Sequence, residues 1–122
     1  MTITSITVGE PCEFGVNTYF GTERQESFKK KPGESYLQVH AEFDLRTAPS
    51  GWMTVDDPEV VTADGFTQTP GPNVECLDSP GGEGNWGTTI DDGQRKRIYD
   101  TWVIPDGSTA IVLEDHRIQL PS

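Results

Sequence analysis

Hydrophobic and polar residues alternate most strictly between positions 36 and 45 of the chain. From Leu37 onward every second residue is apolar, and the residues between them are polar or charged. Successive side chains of a strand point to opposite faces of a sheet, so a period of two predicts a half-buried strand with one face in the core and one in solvent. The polar residues assigned to the solvent face are Gln38, His40, Glu42 and Asp44.

Shorter strand-like segments follow one another along the rest of the chain, with turn signals between them. They cover residues 2–8, 13–20, 52–55, 94–104, 109–113 and 117–120, and residues 59–63 lead into the hairpin-turn signal Asp64-Gly65. No segment has the apolar spacing of a helix of normal length. A set of about seven to nine short strands predicts one domain, residues 1–122, folded as an all-β, immunoglobulin-like antiparallel β-sandwich.

The chain is strongly acidic, with a formal net charge of −11 at pH 7. Such a surface repels nucleic-acid phosphates and anionic lipid, so neither is expected as a partner. No stretch is long and apolar enough for a membrane helix, so membrane insertion is not expected either. Most of the cations lie in two runs, which are either solvated strand ends or, if they meet in space, one joint basic binding patch. These residues are Lys29, Lys30, Lys31, Arg95, Lys96 and Arg97.

The chain has two cysteines, Cys12 and Cys76. Two ligands are too few for a structural zinc site, and the spacing fits no zinc motif. A disulfide between them would stabilise the fold by about 4 kcal/mol in the loop-entropy model. It would also hold down the proline- and glycine-rich stretch 69–88, which is long for a structureless loop. A disulfide is therefore predicted, and two buried free thiols are the alternative.

Residues for catalysis or metal binding do not form a recognisable pattern. His40 lies in a predicted strand and His116 in a predicted turn, and no Gly-x-Ser-x-Gly motif accompanies either. Acidic pairs in predicted turns could pool oxygen ligands for calcium or could only cap those turns, and both interpretations stay open. We expect no catalytic residue, no metal site and no cofactor, and we expect that the chain is not an enzyme. The acidic pairs are Asp56-Asp57, Asp91-Asp92 and Glu114-Asp115.

Two tryptophans have different expected roles. Trp102 shares the apolar face of its predicted strand with Ile98 and Ile104, so we expect it in the core. Trp86 lies between glycine-containing pairs in the loop-rich region. An aromatic side chain on a loop is a good binding anchor, so Trp86 is a candidate binding residue, with plugging of the sandwich end as the alternative.

Several segments resemble the small secreted immunoglobulin-like antigens of mycobacteria, the immunoprotective extracellular protein family. They also resemble the related immunoglobulin-like domain of bacterial lipoproteins. Residues 8–11 (VGEP) are similar to the opening strand and turn of that family, and residues 36–41 (YLQVHA) to its central strand. The midchain turn 62–65 (TADG) and the segments 89–94 (TIDDGQ) and 102–107 (WVIPDG) complete the resemblance.

The resemblance implies an immunoglobulin-like fold and a non-catalytic binding or interaction domain of the cell exterior or cell envelope, with a protein as its partner. It supplies no catalytic residues. The N-terminal residues do not have the pattern of a signal peptide, so an extracellular or envelope location rests on the resemblance and on the predicted disulfide. The alternatives are a structural or assembly subunit of a larger particle, for example a phage virion, and a small hydrolase.

Overall fold

The computed structural model describes residues 2–16, 30–44, 52–54, 58–73, 76–77, 79, 89–91, 93–113 and 116–121. Within these ranges the chain forms strands, turns and loops and no helix, which confirms the all-β prediction. The strands are β1 (Thr2–Val8), β2 (Glu34–Asp44), β3 (Trp52–Thr54), β4 (Glu59–Val61), β5 (Thr67–Gln68), β6 (Gly71–Pro72), β7 (Thr89–Asp91), β8 (Arg95–Pro105), β9 (Ala110–Leu113) and β10 (His116–Gln119).

The strands form two four-stranded antiparallel sheets and a short ribbon. Sheet 1 has the order β1-β2-β8-β6, sheet 2 has the order β10-β9-β4-β5, and β3 pairs with β7. The longest ladder joins β2 to β8, and it runs from the pair Glu34–Pro105 to the pair Asp44–Arg95. β8 is rich in β-branched and aromatic residues, which favour a pleated and partly buried surface, and β2 contributes Tyr36, Val39 and Phe43.

The two sheets pack face to face around one hydrophobic core. Sheet 1 contributes alternate residues of β2 and β8, and sheet 2 contributes residues of β4 and β9, so the chain is a β-sandwich as predicted. Trp102 is buried in this core, as its position on the apolar face of β8 predicts. The core residues are Leu37, Val39, Ala41, Phe43, Val60, Ile90, Ile98, Trp102, Ile104, Ile111, Leu113 and Leu120.

Asp100 lies on the core-facing row of β8 but is not fully buried. Its carboxylate accepts a hydrogen bond from the backbone N–H of Thr101 at 2.7 Å. A carboxylate among inward-facing residues is expected to be hydrogen-bonded, because an unpaired charge there would be costly.

The predicted strand 13–20 is wrong in its first residues. Glu13 and Phe14 form a turn, and Val16 makes only an isolated bridge to Cys76, while residues 17–20 lie outside the described ranges. The chain bends here because Gly15 adopts a positive φ of 96°, which favours glycine, and its N–H donates to the carbonyl oxygen of Cys12 at 3.3 Å. Because of this bend, residues 10–16 lie over the face of sheet 1 that is turned away from the core.

Candidate functional site

The two basic runs lie at opposite ends of sheet 1. Lys30 and Lys31 precede the first residue of β2, whereas Arg95 pairs with Asp44 at the last one. At ~3.3 Å per strand residue, the two ends of β2 are roughly 30 Å apart. The described cations therefore do not form the joint basic patch suggested by the sequence. Lys29 lies outside the described residues.

The arginines of the second run are engaged on the sheet surface. The Nε of Arg97 donates to Glu42 at 3.3 Å, and a guanidinium nitrogen of Arg95 lies 3.9 Å from the same carboxylate. Lys96 pairs with Phe43 in the ladder and is half-buried. In the first run, the Nζ of Lys30 lies 5.7 Å from the centre of the Tyr36 ring. The exposed ion pairs of Arg95 and Arg97 with Glu42 add little stability. They make both arginines part of a surface that carries charges of both signs.

The remaining candidates from the sequence are either the two cysteines or residues that lie mostly outside the described ranges. Cys12 and Cys76 form a disulfide with a Cα–Cα distance of 5.2 Å, so the predicted bridge is confirmed. Trp86 lies outside the described residues. The same is true of most residues of the acidic turn pairs considered for calcium. Among the described residues, no three His, Cys, Asp or Glu side chains group together as a metal site would need.

The disulfide holds residues 10–16, the covering turn, over the outer face of sheet 1, which is the face turned away from the core. Leu77 adds to this attachment, because its N–H donates to the carbonyl oxygen of Gly15 at 2.9 Å. The prediction of a fully solvent-exposed outer face is therefore wrong at Gln38, which is only 3% exposed. The alternation correctly placed Gln38 away from the core, but it did not reveal that a second layer covers that position.

Gln38 is buried because its amide uses every hydrogen-bonding position. Its Oε1 accepts from the backbone N–H of Glu13 at 2.9 Å and from the hydroxyl of Tyr99 at 2.8 Å. Its Nε2 donates to the carbonyl oxygen of Pro11 at 2.9 Å and faces that of Glu10 at 3.4 Å. Such complete pairing is what allows a primary amide to be buried without a large desolvation cost. Gln38 thus docks the covering turn onto the sheet.

Aromatic and charged side chains continue this layer. The Phe14 ring meets the Tyr99 ring edge-on with centroids 4.9 Å apart, and the His40 ring lies 4.6 Å from Tyr99. The Nε2 of His40 lies 2.5 Å from Oε2 of Glu13. The sequence placed His40 on the solvent face, and the structure makes it half-buried at the border of the covering turn.

An imidazole–carboxylate pair is one part of a nucleophilic triad, so the surroundings of His40 bear on hydrolysis. Ser5 lies directly opposite His40 in the β1–β2 ladder. A triad would need the hydroxyl of such a residue to donate to the imidazole. A concavity of about 230 Å³ adjoins the pair, and Thr4, Glu42 and Arg97 contribute to its lining. The described residues place the imidazole of His40 beside Glu13, and Arg97 beside Glu42, on one surface of the sheet.

A second concave surface lies on sheet 2, at the hairpin that joins β4 to β5. The N–H of Thr62 donates to the carbonyl oxygen of Phe66 at 2.8 Å, and the N–H of Gly65 donates to that of Thr62 at 2.9 Å. Gly65 has a positive φ of 88°, so the Asp64-Gly65 turn predicted from the sequence is confirmed. The hairpin leaves Phe66 72% exposed, which is the largest exposure among the large hydrophobic residues that the structure describes.

Phe66 belongs to a concavity of about 610 Å³ between the hairpin and the β8–β9 turn. Asp106 is anchored in that turn, because its N–H donates to the carbonyl oxygen of Gly33 and its carboxylate accepts from the hydroxyl of Ser35. The described lining, here named the Phe66 surface, combines one exposed aromatic ring with two carboxylates and contains no cation. Its residues are Thr62, Ala63, Asp64, Phe66, Gln68, Pro105 and Asp106.

Sequence reasoning missed the Phe66 surface. The turn signal Asp64-Gly65 was clear, but an aromatic residue directly after it could equally have pointed into the core. The one available signal was the composition around it, since Phe66 is the single apolar residue between Gly65 and Pro70. Asp106 could not be connected with it, because the two residues meet only through the packing of two separate turns.

Asp64 keeps its negative charge in unusually acidic solution. The hydroxyl of Thr62 donates to its carboxylate, and this hydrogen bond is the main cause that lowers the pKa of Asp64 below its ordinary value. Desolvation is the next largest cause and raises the pKa, and backbone hydrogen bonds lower it further. The Phe66 surface is therefore anionic at neutral pH and remains so well below it.

Replacing Thr62 by valine is expected to raise the pKa of Asp64 toward the ordinary aspartate value, because the hydroxyl that favours the carboxylate is removed. A carbon-detected NMR titration of the Asp64 carboxyl group measures the change, with Thr67→Val on β5 as the control. A folded-state pKa below the unfolded one stabilises the fold above the unfolded value of about 3.9, and this contribution is lost as pH falls through the folded pKa. Equal midpoints in wild type and Thr62→Val would contradict the assignment.

The described part of the chain contains no helix that is long and apolar enough to cross a membrane. Comparisons of the chain with protein-family models, with curated proteins and with solved structures found no match.

Proposed function

We propose that this chain is a non-catalytic protein-binding domain of the cell exterior or cell envelope, and that it binds its partner at the Phe66 surface. The observation that carries the proposal is the 72% exposure of Phe66 inside a concavity bordered by Asp64 and Asp106. An exposed aromatic side chain in a concave setting is a typical anchor residue, because it buries a large area at small entropic cost.

The charges of the surface indicate the chemistry of the partner. Asp64 and Asp106 border the exposed ring, and the whole chain carries a net charge of −11. Complementary potentials steer association and exclude like-charged partners. The fitting partner is therefore a basic segment of another protein that also offers an apolar side chain to contact Phe66. An acidic protein or an anionic lipid would be repelled.

The disulfide supports the proposed location. Disulfides persist mainly in secreted, envelope and other oxidising compartments. The Cys12–Cys76 bridge attaches the covering turn to a part of the chain 64 residues away, and such a bridge is kept where the surroundings are oxidising. The β-sandwich agrees with the immunoglobulin-like fold that the sequence resemblance implies, and we include that fold family and its extracellular role in the proposal.

Peptide binding tests the proposed surface. The probes are three synthetic peptides, in which leucine alternates with lysine, leucine alternates with glutamate, or serine alternates with glycine. The oxidised protein is expected to bind the lysine–leucine peptide and neither of the others. Phe66→Ser is expected to weaken that binding about tenfold or more, because the ring's apolar contact is worth roughly 1.5–3 kcal/mol when buried.

Val16→Ser is the matched control, since Val16 is also an exposed apolar residue, at 51%, and lies away from the hairpin in the covering turn. The control should bind like the wild type. The double variant Asp64→Asn and Asp106→Asn should reduce both the affinity and its dependence on salt. Equal losses in Phe66→Ser and Val16→Ser, or equal binding of the lysine and glutamate peptides, would refute the proposed surface.

A further inference from the structure

Strand β1 forms one edge of sheet 1 among the described strands. β1 pairs with β2 along one side, and no described strand pairs with it along the other. Its seven residues, Thr2–Val8, include no charged residue and no proline. An edge of this kind presents unpaired N–H and C=O groups and is a ready template for another strand.

The other three sheet edges carry features that prevent such pairing. β5 and β6 have only two residues each, and β6 ends at Pro72, which cannot donate a hydrogen bond. β10 has four residues and carries the exposed Arg117. Short length, proline, charge and a β-bulge are usual protections of an edge strand. β1 is the one edge strand of the described sheets that is longer than four residues and has neither proline nor charge, and the register shift between Ile3 and Ser5 is the one such feature it has.

A bulge in β1 gives its two isoleucines the same orientation. Ile3 pairs with Ala41 and Ile6 pairs with Val39, and the register shifts between them at Thr4. Two residues separated by three positions in a regular strand would face opposite sides of the sheet. The shift instead places Ile3 and Ile6 both toward the core, where each is only partly buried. An added strand would cover their remaining apolar surface.

The sequence of β1 is nearly the same in both directions. From Thr2 to Thr7 it reads Thr-Ile-Thr-Ser-Ile-Thr, which reversed is Thr-Ile-Ser-Thr-Ile-Thr. In an antiparallel pair related by a two-fold axis, Ile3 would lie opposite Ile6 of the other copy, and Thr2 opposite Thr7. Ile3 and Ile6 face the core side, and Thr2 and Thr7 face the outer side. The pairing would therefore place two isoleucines opposite each other on the core side and two threonines opposite each other on the outer side.

We propose that β1 is a self-association edge, at which two copies of this chain pair β1 to β1 antiparallel and join their two copies of sheet 1 into one continuous sheet. The strand that adds to this edge is β1 of a second copy. When β1 pairs antiparallel with itself, the same residue types lie opposite each other and on the same side of the sheet. The proposal goes beyond the Phe66 surface, which lies between the β4–β5 hairpin and the β8–β9 turn and includes no residue of β1. Pairing of this kind is also what a structural or assembly subunit of a larger particle would need.

Charge determines the conditions under which the pairing is expected. Each copy carries a net charge of −11, whereas the contacting strands are uncharged. Repulsion between the two bodies opposes association at low ionic strength and is screened as salt increases, with a Debye length of ~30 Å at 0.01 M and ~8 Å at 0.15 M. Association should therefore become stronger with salt.

Sedimentation equilibrium across protein concentration, at low and at physiological salt, measures the association constant. The wild type is expected to form a dimer more strongly at the higher salt. Ser5→Lys is expected to weaken dimerisation about tenfold, because the two lysines meet near the two-fold axis. Thr67→Lys on β5 is the matched control, since it makes the same change in net charge on another exposed edge, and it should dimerise like the wild type.

Hydrogen exchange identifies the surface independently of any variant. On raising the protein concentration, the outward-facing amides of residues 2–8 should gain protection, while those of the β4–β5 hairpin should not. A wild type that stays monomeric at both salt concentrations overturns the proposal, and so does a dimer that Ser5→Lys and Thr67→Lys affect equally. Phe66→Ser should leave dimerisation unchanged, so failure of the proposed binding function and failure of this edge are separately detectable.

Discussion

Replacing Cys12 and Cys76 together by alanine is expected to lower the free energy of unfolding by about 4 kcal/mol. The disulfide joins residues 64 positions apart, so it removes a large amount of conformational freedom from the unfolded chain. Domains of this kind are stable by only about 5–15 kcal/mol in total, so the double variant should unfold at a much lower urea concentration. Urea unfolding followed by tryptophan fluorescence measures the change, because Trp102 is buried in the core.

The reduced wild type is the matched control for this experiment. If the bridge acts through the unfolded chain, the reduced protein and the double alanine variant should have the same midpoint, and the reductant should not affect the variant. The covering turn adds a local effect, because its attachment through Gly15 and Leu77 depends on the bridged segment. Loss of the bridge should therefore speed amide exchange at Glu13 before the sheets unfold. A stability loss of less than about 1 kcal/mol would contradict this role of the disulfide.

The strands were the most predictable part of the molecule. The predicted strand 36–45 corresponds to β2 (Glu34–Asp44), and the predicted strand 94–104 corresponds to β8 (Arg95–Pro105). The ends of both were set by local signals, such as Pro32-Gly33 before β2 and Pro105-Asp106-Gly107 at the end of β8. These signals act through backbone geometry within a few residues, so the sequence contains them directly.

The second layer over sheet 1 could not be predicted, because it depends on contacts distant in sequence. Alternation assigned Gln38 to the polar face, which is correct, but polarity does not determine burial. Gln38 is buried because the covering turn supplies Pro11 and Glu13 as partners from more than twenty residues upstream. Nothing near Gln38 in the sequence indicates that those partners arrive.

Register decides between the two interpretations of the basic runs for the cations that the structure describes. The sequence shows two runs of like charge, but their distance follows from how β2 pairs with β8. Antiparallel pairing sets the residues before β2 near Pro105 and sets Arg95 beside Asp44, so the runs lie at opposite ends. The opposite case is the Phe66 surface, where Asp64 and Asp106 are far apart in sequence and line one concavity.

Replacing Gln38 by leucine is expected to lower the free energy of unfolding by about 3 kcal/mol, although leucine is similar in size and more hydrophobic. The substitution leaves the hydroxyl of Tyr99, a residue that is 1% exposed, and the N–H of Glu13 without the acceptor that both use. It also removes the donor to the carbonyl oxygen of Pro11. A buried polar group that loses its partner costs ~1–3 kcal/mol, so the unpaired Tyr99 hydroxyl together with the lost, part-buried bonds to the covering turn outweighs the added apolar contact.

A double-mutant cycle with Tyr99→Phe separates this cause from a simple packing defect. Tyr99→Phe alone should cost about 1 kcal/mol, since Gln38 Oε1 still accepts from Glu13. With phenylalanine at position 99 there is no hydroxyl to leave unpaired, so Gln38→Leu should then cost about 1–2 kcal/mol less than in the wild type. Urea unfolding of the four proteins gives the coupling. Additive losses would mean that the hydroxyl of Tyr99 does not depend on Gln38, and that the cost of Gln38→Leu comes from its bonds to Glu13 and Pro11 and from packing.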